Sequence, residues 1–193
     1  MSQPLRICVV GAESTGTTTL AQALAAHYHT LWVPEYGREY TERLVERVRT
    51  MQQIGWRTED FLAIARRQLE LEDEAARNAG RVLFCDTDVL ATSIWHERYM
   101  RSVCPELEQM AAARHYALYI LTDCDIPFVQ DGFRDGEHIR EWMTRRFREE
   151  LAKRPEPWFE VRGSVEQRMA AATAAVDRLL VEPGFGPASA TRR

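Results

Sequence analysis

The segment from residue 5 to residue 26 restricts the possible folds more than any other part of this 193-residue chain. It opens with "LRICVV", a short and continuous apolar run of the kind found in a strand buried on both faces of a sheet. "GAESTGTTTL" follows, and the alanine-rich sequence after it favours a helix. A strand, a glycine-containing turn and a helix in this order predict βαβ units and an α/β fold.

The turn between this strand and this helix nearly matches the phosphate-binding pattern G-x-x-x-x-G-K-[ST]. Gly11, Gly16 and Thr18 are in register with the pattern, whereas Thr17 replaces its lysine. Small residues would let backbone N–H groups surround phosphate oxygens, and the following helix would add its N-terminal dipole. The alternative is a tight turn whose glycines serve backbone geometry alone. The position between a buried strand and a helix favours a phosphate loop, with these predicted nucleotide-binding residues: Gly11, Ala12, Glu13, Ser14, Thr15, Gly16, Thr17, Thr18 and Thr19.

The rest of the chain continues the alternation of strands and helices. Further strands are predicted at "TLWVPE", "RVLFC", "ALYILT" and "WFEVR", and helices at 39–52, 58–79, 86–100, 105–115, 138–154 and 164–181. We therefore predict a three-layer α/β domain over 1–182, with a mostly parallel sheet of about five strands. Residues 183–193 are expected to form a disordered tail.

Ligands of such sheets bind beyond the carboxyl ends of the strands. That rule brings four predicted loops together, namely 11–18, 34–40, 86–88 and 123–140. The last of them is rich in Asp, Gly and Pro and is predicted to be a mobile lid over the site.

Composition excludes several classes of function. A net charge of −4 and a pI near 5.8 argue against nucleic-acid binding, which needs a basic face. No apolar run approaches the length of a membrane span. The four cysteines lack the C-x-x-C spacing of a zinc site, and the first residues lack a signal-peptide pattern. We therefore expect a cytoplasmic protein.

Several short segments together resemble one family. They are "GAESTGTTTL", "PEYGREY", "CDTD", "DGFR" and "VRGSVEQR". Their order is similar to that in the ribosylnicotinamide kinase domain of the bacterial bifunctional NAD-biosynthesis family, and the resemblance extends from about residue 5 to 181. It implies a P-loop nucleoside kinase that binds ATP and Mg²⁺ and phosphorylates the ribose 5′-hydroxyl of nicotinamide riboside. Because the chain starts at the first strand, we expect a stand-alone kinase domain.

The resemblance also implies the catalytic groups. Glu35 would orient the acceptor hydroxyl and take its proton, unless it is a surface carboxylate paired with an arginine. Asp86 ends a buried strand and would hold Mg²⁺ together with Thr18. Arg134 and Arg140 of the lid would neutralise charge on the transferring phosphoryl group.

The acceptor pocket and the base site are implied by further residues. The predicted substrate-binding residues are Tyr36, Arg38, Asp88, Trp95, Tyr99 and Asp131, and Arg168 is predicted to lie at the adenine. Asp88 is equally compatible with capping the next helix. Trp95 and Tyr99 share a helix face, where they could pack in the core or meet a cationic pyridinium ring.

Thr17 leaves the function open between classes. Without the lysine, the loop lacks a cation between the β- and γ-phosphates, and we expect lid arginines to supply it. The alternatives are a kinase for another nucleoside or small hydroxyl compound, or a module that senses ATP or NAD and catalyses little. The expected partners are small molecules rather than nucleic acid or membrane, and a homo-oligomer stays open.

Overall fold

One parallel sheet organises the computed structural model, which describes residues 3–131 and 133–181. Its strands are β1 (Leu5–Gly11), β2 (Trp32–Val33), β3 (Val82–Asp86), β4 (Leu118–Thr122) and β5 (Trp158–Val161). They are ordered β2-β3-β1-β4-β5, and every neighbouring pair is parallel. The predicted five-stranded parallel sheet is thus confirmed, while the tail predicted at 183–193 lies outside the described residues.

Helices cover both faces of the sheet. They are α1 (Thr17–His27), α2 (Tyr36–Val48), α3 (Thr58–Ala76), α4 (Val89–Met100), α5 (Pro105–Ala113), α6 (Arg140–Leu151) and α7 (Val165–Val181). Because side chains alternate along a strand, Ile7 and Val9 of β1 pack with α1 and α7, whereas Cys8 and Val10 pack with α3 to α6. These two apolar layers around one sheet give the predicted three-layer architecture.

Helix boundaries differ from the sequence predictions in ways that affect the site. α2 begins at Tyr36 rather than at residue 39 and ends at Val48, where Arg49 adopts a left-handed φ of 82°. α4 begins at Val89 rather than at 86, since Asp88 caps it. On α7, the first residue Val165 is 51% exposed, whereas Ala172 and Val176 further along the helix are buried.

Candidate active site

A cavity of about 260 Å³ opens where the four predicted loops meet. Glu13 and Thr18 line it from the first loop, and Glu35 and Arg38 from the second. The remaining two loops contribute Asp86, Thr87, Phe133 and Arg134. The carboxyl ends of β1, β2 and β3 therefore converge on one space, as the parallel topology requires.

The phosphate loop is tightly folded against the sheet. A Cβ at Gly11 would overlap the Thr122 hydroxyl and lie 2.5 Å from that of Thr15, so only glycine fits there. Gly16 precedes α1 with a φ of 84°, which glycine adopts without strain. No described side chain caps α1. The N–H groups of its first turn therefore stay available to an anion.

Two threonines predicted to bind nucleotide do not present their side chains to the cavity. The Thr15 hydroxyl is buried and hydrogen-bonds to Ala12 O and to the Thr122 hydroxyl, each at 2.7 Å. Thr19 is exposed on α1, outside the cavity wall. The Thr15 side chain therefore braces the loop, and the Thr19 side chain is not part of the cavity wall. Their backbone N–H groups stay predicted nucleotide contacts.

Two arginines predicted to act on the nucleotide support the loop instead. The Arg168 guanidinium donates to Thr15 O and pairs with Asp125, and Arg140 donates to Ser14 O at 3.2 Å and to Ile126 O at 2.9 Å. Both side chains are buried, and neither is on the cavity wall. In this structure both arginines brace the phosphate loop, and their roles at the transferring phosphoryl group and at the adenine stay predictions.

Thr18 and Asp86 meet at the floor of the cavity. The Thr18 hydroxyl donates to Asp86 Oδ2 at 2.5 Å. Asp86 is 1% exposed, and its Oδ1 has no partner among the described residues. Burial raises the pKa of Asp86, while the hydroxyls of Thr18 and Thr17 oppose that rise. An unpaired buried carboxylate oxygen next to a hydroxyl group is a suitable ligand set for Mg²⁺. This ion is usually bound by one or two protein ligands and completes its coordination with water and phosphate oxygens.

The described residues contain no group of three or more His, Cys, Asp or Glu side chains arranged to hold a metal.

Glu35 has an unusual electrostatic setting. It lies on the cavity wall at the start of α2. Burial and the negative charges of Asp86 and Glu13 raise the pKa of Glu35 to about 8, although Arg38 and Arg134 oppose the rise. Such a carboxyl group exchanges its proton near neutral pH, which suits acid–base chemistry.

Aromatic rings form one side of the cavity. Trp95 and Tyr99 are stacked, with centroids 6.1 Å apart and an interplanar angle of 22°, so they share a face as predicted. Trp56 lies 5.1 Å from both Tyr99 and Phe61, and all of them line the cavity. Neither Trp56 nor Phe61 is predicted from the sequence, because the spacing around the start of α3 gives no sign that this segment reaches α4.

Three predicted substrate residues lie off the cavity wall. Because α2 starts early, Tyr36 is in its first turn, where its N–H donates to Gln68 Oε1 at 2.9 Å and its ring packs on Tyr40. Asp88 uses both carboxylate oxygens, accepting from Ala91 N at 3.0 Å and from the Tyr119 hydroxyl at 2.7 Å. Asp88 thus caps α4, which is the alternative that the sequence left open, and the Tyr36 ring packs on Tyr40; their substrate roles stay predictions.

Asp131 holds arginines rather than facing the cavity. Its Oδ2 lies 2.8 Å from Arg38 Nη2 and 3.5 Å from Arg134 Nε. Arg38 and Arg134 are the basic residues on the described part of the cavity wall. They are accordingly the cations best placed to offset Thr17, whereas Lys153 pairs with Glu150 at 2.8 Å away from this cavity.

The comparison with known proteins agrees with this geometry. A family model described as an AAA domain matches residues 6–168, most of the chain. The chain belongs to this AAA domain family.

The chain is similar to two curated proteins, the trifunctional NAD biosynthesis/regulator proteins NadR of Escherichia coli and Salmonella typhimurium. They are 29% and 28% identical over 128 residues, which are 66% of this chain and 30% of each relative. The match thus covers less than a third of those relatives.

Solved structures share the fold. A NadR protein in complex with NAD and AMP-PNP has a TM-score of 0.69 at 19% identity, covering 98% of this chain and 52% of that one. A NadR complex with NR has a TM-score of 0.72 at 20% identity, covering 93% and 50%. Thymidylate kinase from Ehrlichia chaffeensis has a TM-score of 0.64 at 13% identity, covering 93% and 100%.

These findings confirm the predicted fold and show the AAA domain family of the chain. Of the helices that the structure describes, none has the length and apolarity needed to cross a bilayer.

Proposed function

We propose that the protein transfers the γ-phosphoryl group of ATP to the 5′-hydroxyl of nicotinamide riboside, giving nicotinamide mononucleotide. One observation carries the proposal: a single cavity holds the phosphate loop, the Thr18–Asp86 pair, a carboxyl group of raised pKa and an aromatic wall. The similarity to NadR supports this acceptor over others. Free buried cysteines, Cys8 and Cys85, suit the reducing cytoplasm as the proposed location.

Each part of the cavity has a role in this proposal. Backbone N–H groups of the phosphate loop bind the nucleotide phosphates. Thr18 and Asp86 would hold Mg²⁺, which supplies charge neutralisation on the phosphate oxygens. Glu35 orients the acceptor hydroxyl and accepts its proton, while the aromatic wall receives the flat base of the nucleoside.

Thr17 makes arginines necessary for this chemistry. A neutral hydroxyl gives a hydrogen bond roughly half as strong as a charge-assisted one. Arg134 and Arg38, which Asp131 holds beside the cavity, would supply positive charge that stabilises the negative charge of the transferring phosphoryl group. The same substitution favours the second candidate function, a sensor that binds ATP or NAD with little turnover.

An assay with ATP, Mg²⁺ and a panel of nucleosides tests the proposal, with nicotinamide riboside, deoxyadenosine and thymidine as acceptors. We expect nicotinamide mononucleotide to form with the highest kcat/KM of the panel. Higher kcat/KM for another nucleoside would reassign the acceptor. Nucleotide binding by calorimetry without turnover of any acceptor would favour the sensor.

A further inference from the structure

Arg98 is a nearly buried arginine behind the aromatic wall. Its side chain is 10% exposed, and it lies off the described cavity wall. Its Cζ is 4.5 Å from the centroid of the Tyr99 ring and 5.1 Å from that of the Trp95 ring. Since aromatic faces attract cations, Arg98 helps to fix the orientation of the two rings that line the acceptor side of the cavity.

The same arginine is tied to the lid. Arg98 Nη2 lies 2.7 Å from Asp135 Oδ1 and donates to Asp135 O at 3.2 Å. The Tyr99 hydroxyl donates to Asp135 Oδ1 at 3.0 Å and accepts from Arg98 Nη1 at 3.1 Å. Arg98, Tyr99 and Asp135 therefore form a closed ring of hydrogen bonds between α4 and the lid.

The next lid residue contacts the phosphate loop. Gly136 N donates to Glu13 Oε2 at 2.7 Å. Glu13 lies within the loop that would bind the nucleotide, and it also lines the cavity. Two consecutive lid residues thus join the nucleotide side of the cavity, through Glu13, to its aromatic side, through Arg98.

We propose that Arg98 is a positioning residue that couples nucleotide binding at the phosphate loop to the aromatic wall. A nucleotide that orders the loop around Glu13 also fixes Gly136 and Asp135, and the Asp135–Arg98 pair transmits that order to α4. An acceptor then meets rings that are already held, so the two ligands bind cooperatively, and the coupling must be reciprocal. The identity of the two ligands rests on the proposed function.

Amide hydrogen exchange of the wild-type chain and of Arg98→Gln, with and without Mg-AMP-PNP, tests the first step without any acceptor. In the wild type we expect the nucleotide to slow exchange at the C-terminal half of α4 at least ~5-fold, the lower end of usual coupling factors. In Arg98→Gln the slowing should stay confined to the phosphate loop. Arg98→Lys should restore part of it, because lysine keeps the charge but not the planar fork of donors.

Two further variants separate coupling from simple stabilisation. Asp135→Asn removes the charge from the lid side of the same pair and should abolish the α4 response, as is expected for Arg98→Gln. Arg66→Gln is the matched control, since Arg66 and Glu106 also pair at 2.7 Å but on the exposed side of α3 and α5. An α4 that does not respond in the wild type, or that responds equally in Arg98→Gln, would overturn the inference.

The second step is measured with whichever nucleoside of the panel the wild type binds. Titration calorimetry of the wild type should give a lower Kd for Mg-AMP-PNP in the presence of that nucleoside than in its absence. In Arg98→Gln the ratio of these two Kd values should be near one. A structural role alone would lower the melting temperature without changing this ratio. If nicotinamide riboside does not bind, the proposed acceptor fails, while the exchange experiment still decides the role of Arg98.

Discussion

The pH dependence of turnover tests Glu35 directly, because burial and the charges of Asp86 and Glu13 raise the pKa of its carboxyl group to about 8. At that pKa the deprotonated form makes up about 10% of molecules at pH 7 and about 90% at pH 9. Only this form accepts the proton of the acceptor hydroxyl. We therefore expect kcat/KM to rise roughly ninefold between these pH values, with a midpoint near pH 8, because kcat/KM reports the free enzyme.

The assay follows product formation from pH 6 to pH 9.5 by chromatography, which avoids pH-sensitive coupling enzymes. Glu35→Gln should lower turnover at least ~100-fold and abolish the rising limb. Glu72→Gln is the matched control: burial also raises the pKa of Glu72 to about 8, but this residue lies outside the cavity wall. A flat wild-type profile, or a limb that survives in Glu35→Gln, would refute the assignment of Glu35 as the base.

Further variants test the metal site, the missing lysine and the fold. Asp86→Asn should weaken Mg²⁺-dependent binding of AMP-PNP at least ~10-fold, as measured by calorimetry, and should leave the melting temperature unchanged. If binding per folded molecule is unchanged, Asp86 has a structural role only. Arg134→Ala should lower kcat by about 10³-fold, as loss of an arginine that stabilises the transition state does, and full activity would remove it from the mechanism. Thr17→Lys should keep AMP-PNP affinity without a gain in kcat, since arginines already supply the charge; a large gain would contradict their role. The pKa of Glu72 is raised from 4.5 to about 8 in the folded state, so the free energy of unfolding should fall as pH rises through that interval, by up to ~5 kcal/mol. Urea unfolding at pH 5 and pH 8 should show a smaller change in the free energy of unfolding in Glu72→Gln than in the wild type.

Local sequence was enough to predict the sheet and the phosphate loop. The apolar run "LRICVV" and the glycines of "GAESTGTTTL" encode a buried strand and a tight turn in adjacent residues. The convergence of four loops followed from parallel topology alone. These features depend on residues close in sequence or on a general rule of parallel sheets. One amino-acid sequence is therefore enough to predict them.

Side-chain direction was harder to predict. Asp88 had two chemically sound roles, and the choice between them depends on Tyr119 of β4, whose hydroxyl occupies the second carboxylate oxygen. Arg140 and Arg168 looked like nucleotide ligands, but each donates to carbonyl groups of the phosphate loop. No local pattern distinguishes an arginine in front of that loop from one behind it.

The brace behind the phosphate loop also has a consequence for the order in which the protein is made. Arg168 on α7 and Thr15, whose carbonyl it holds, are 153 residues apart in the chain. The loop therefore leaves the ribosome long before this support does, because Arg168 follows every residue on the described cavity wall in the chain. A nascent chain, or a recombinant fragment that stops before α7, would carry all of these cavity residues and the Arg140 contact, but would lack the Arg168 contact to the carbonyl of Thr15.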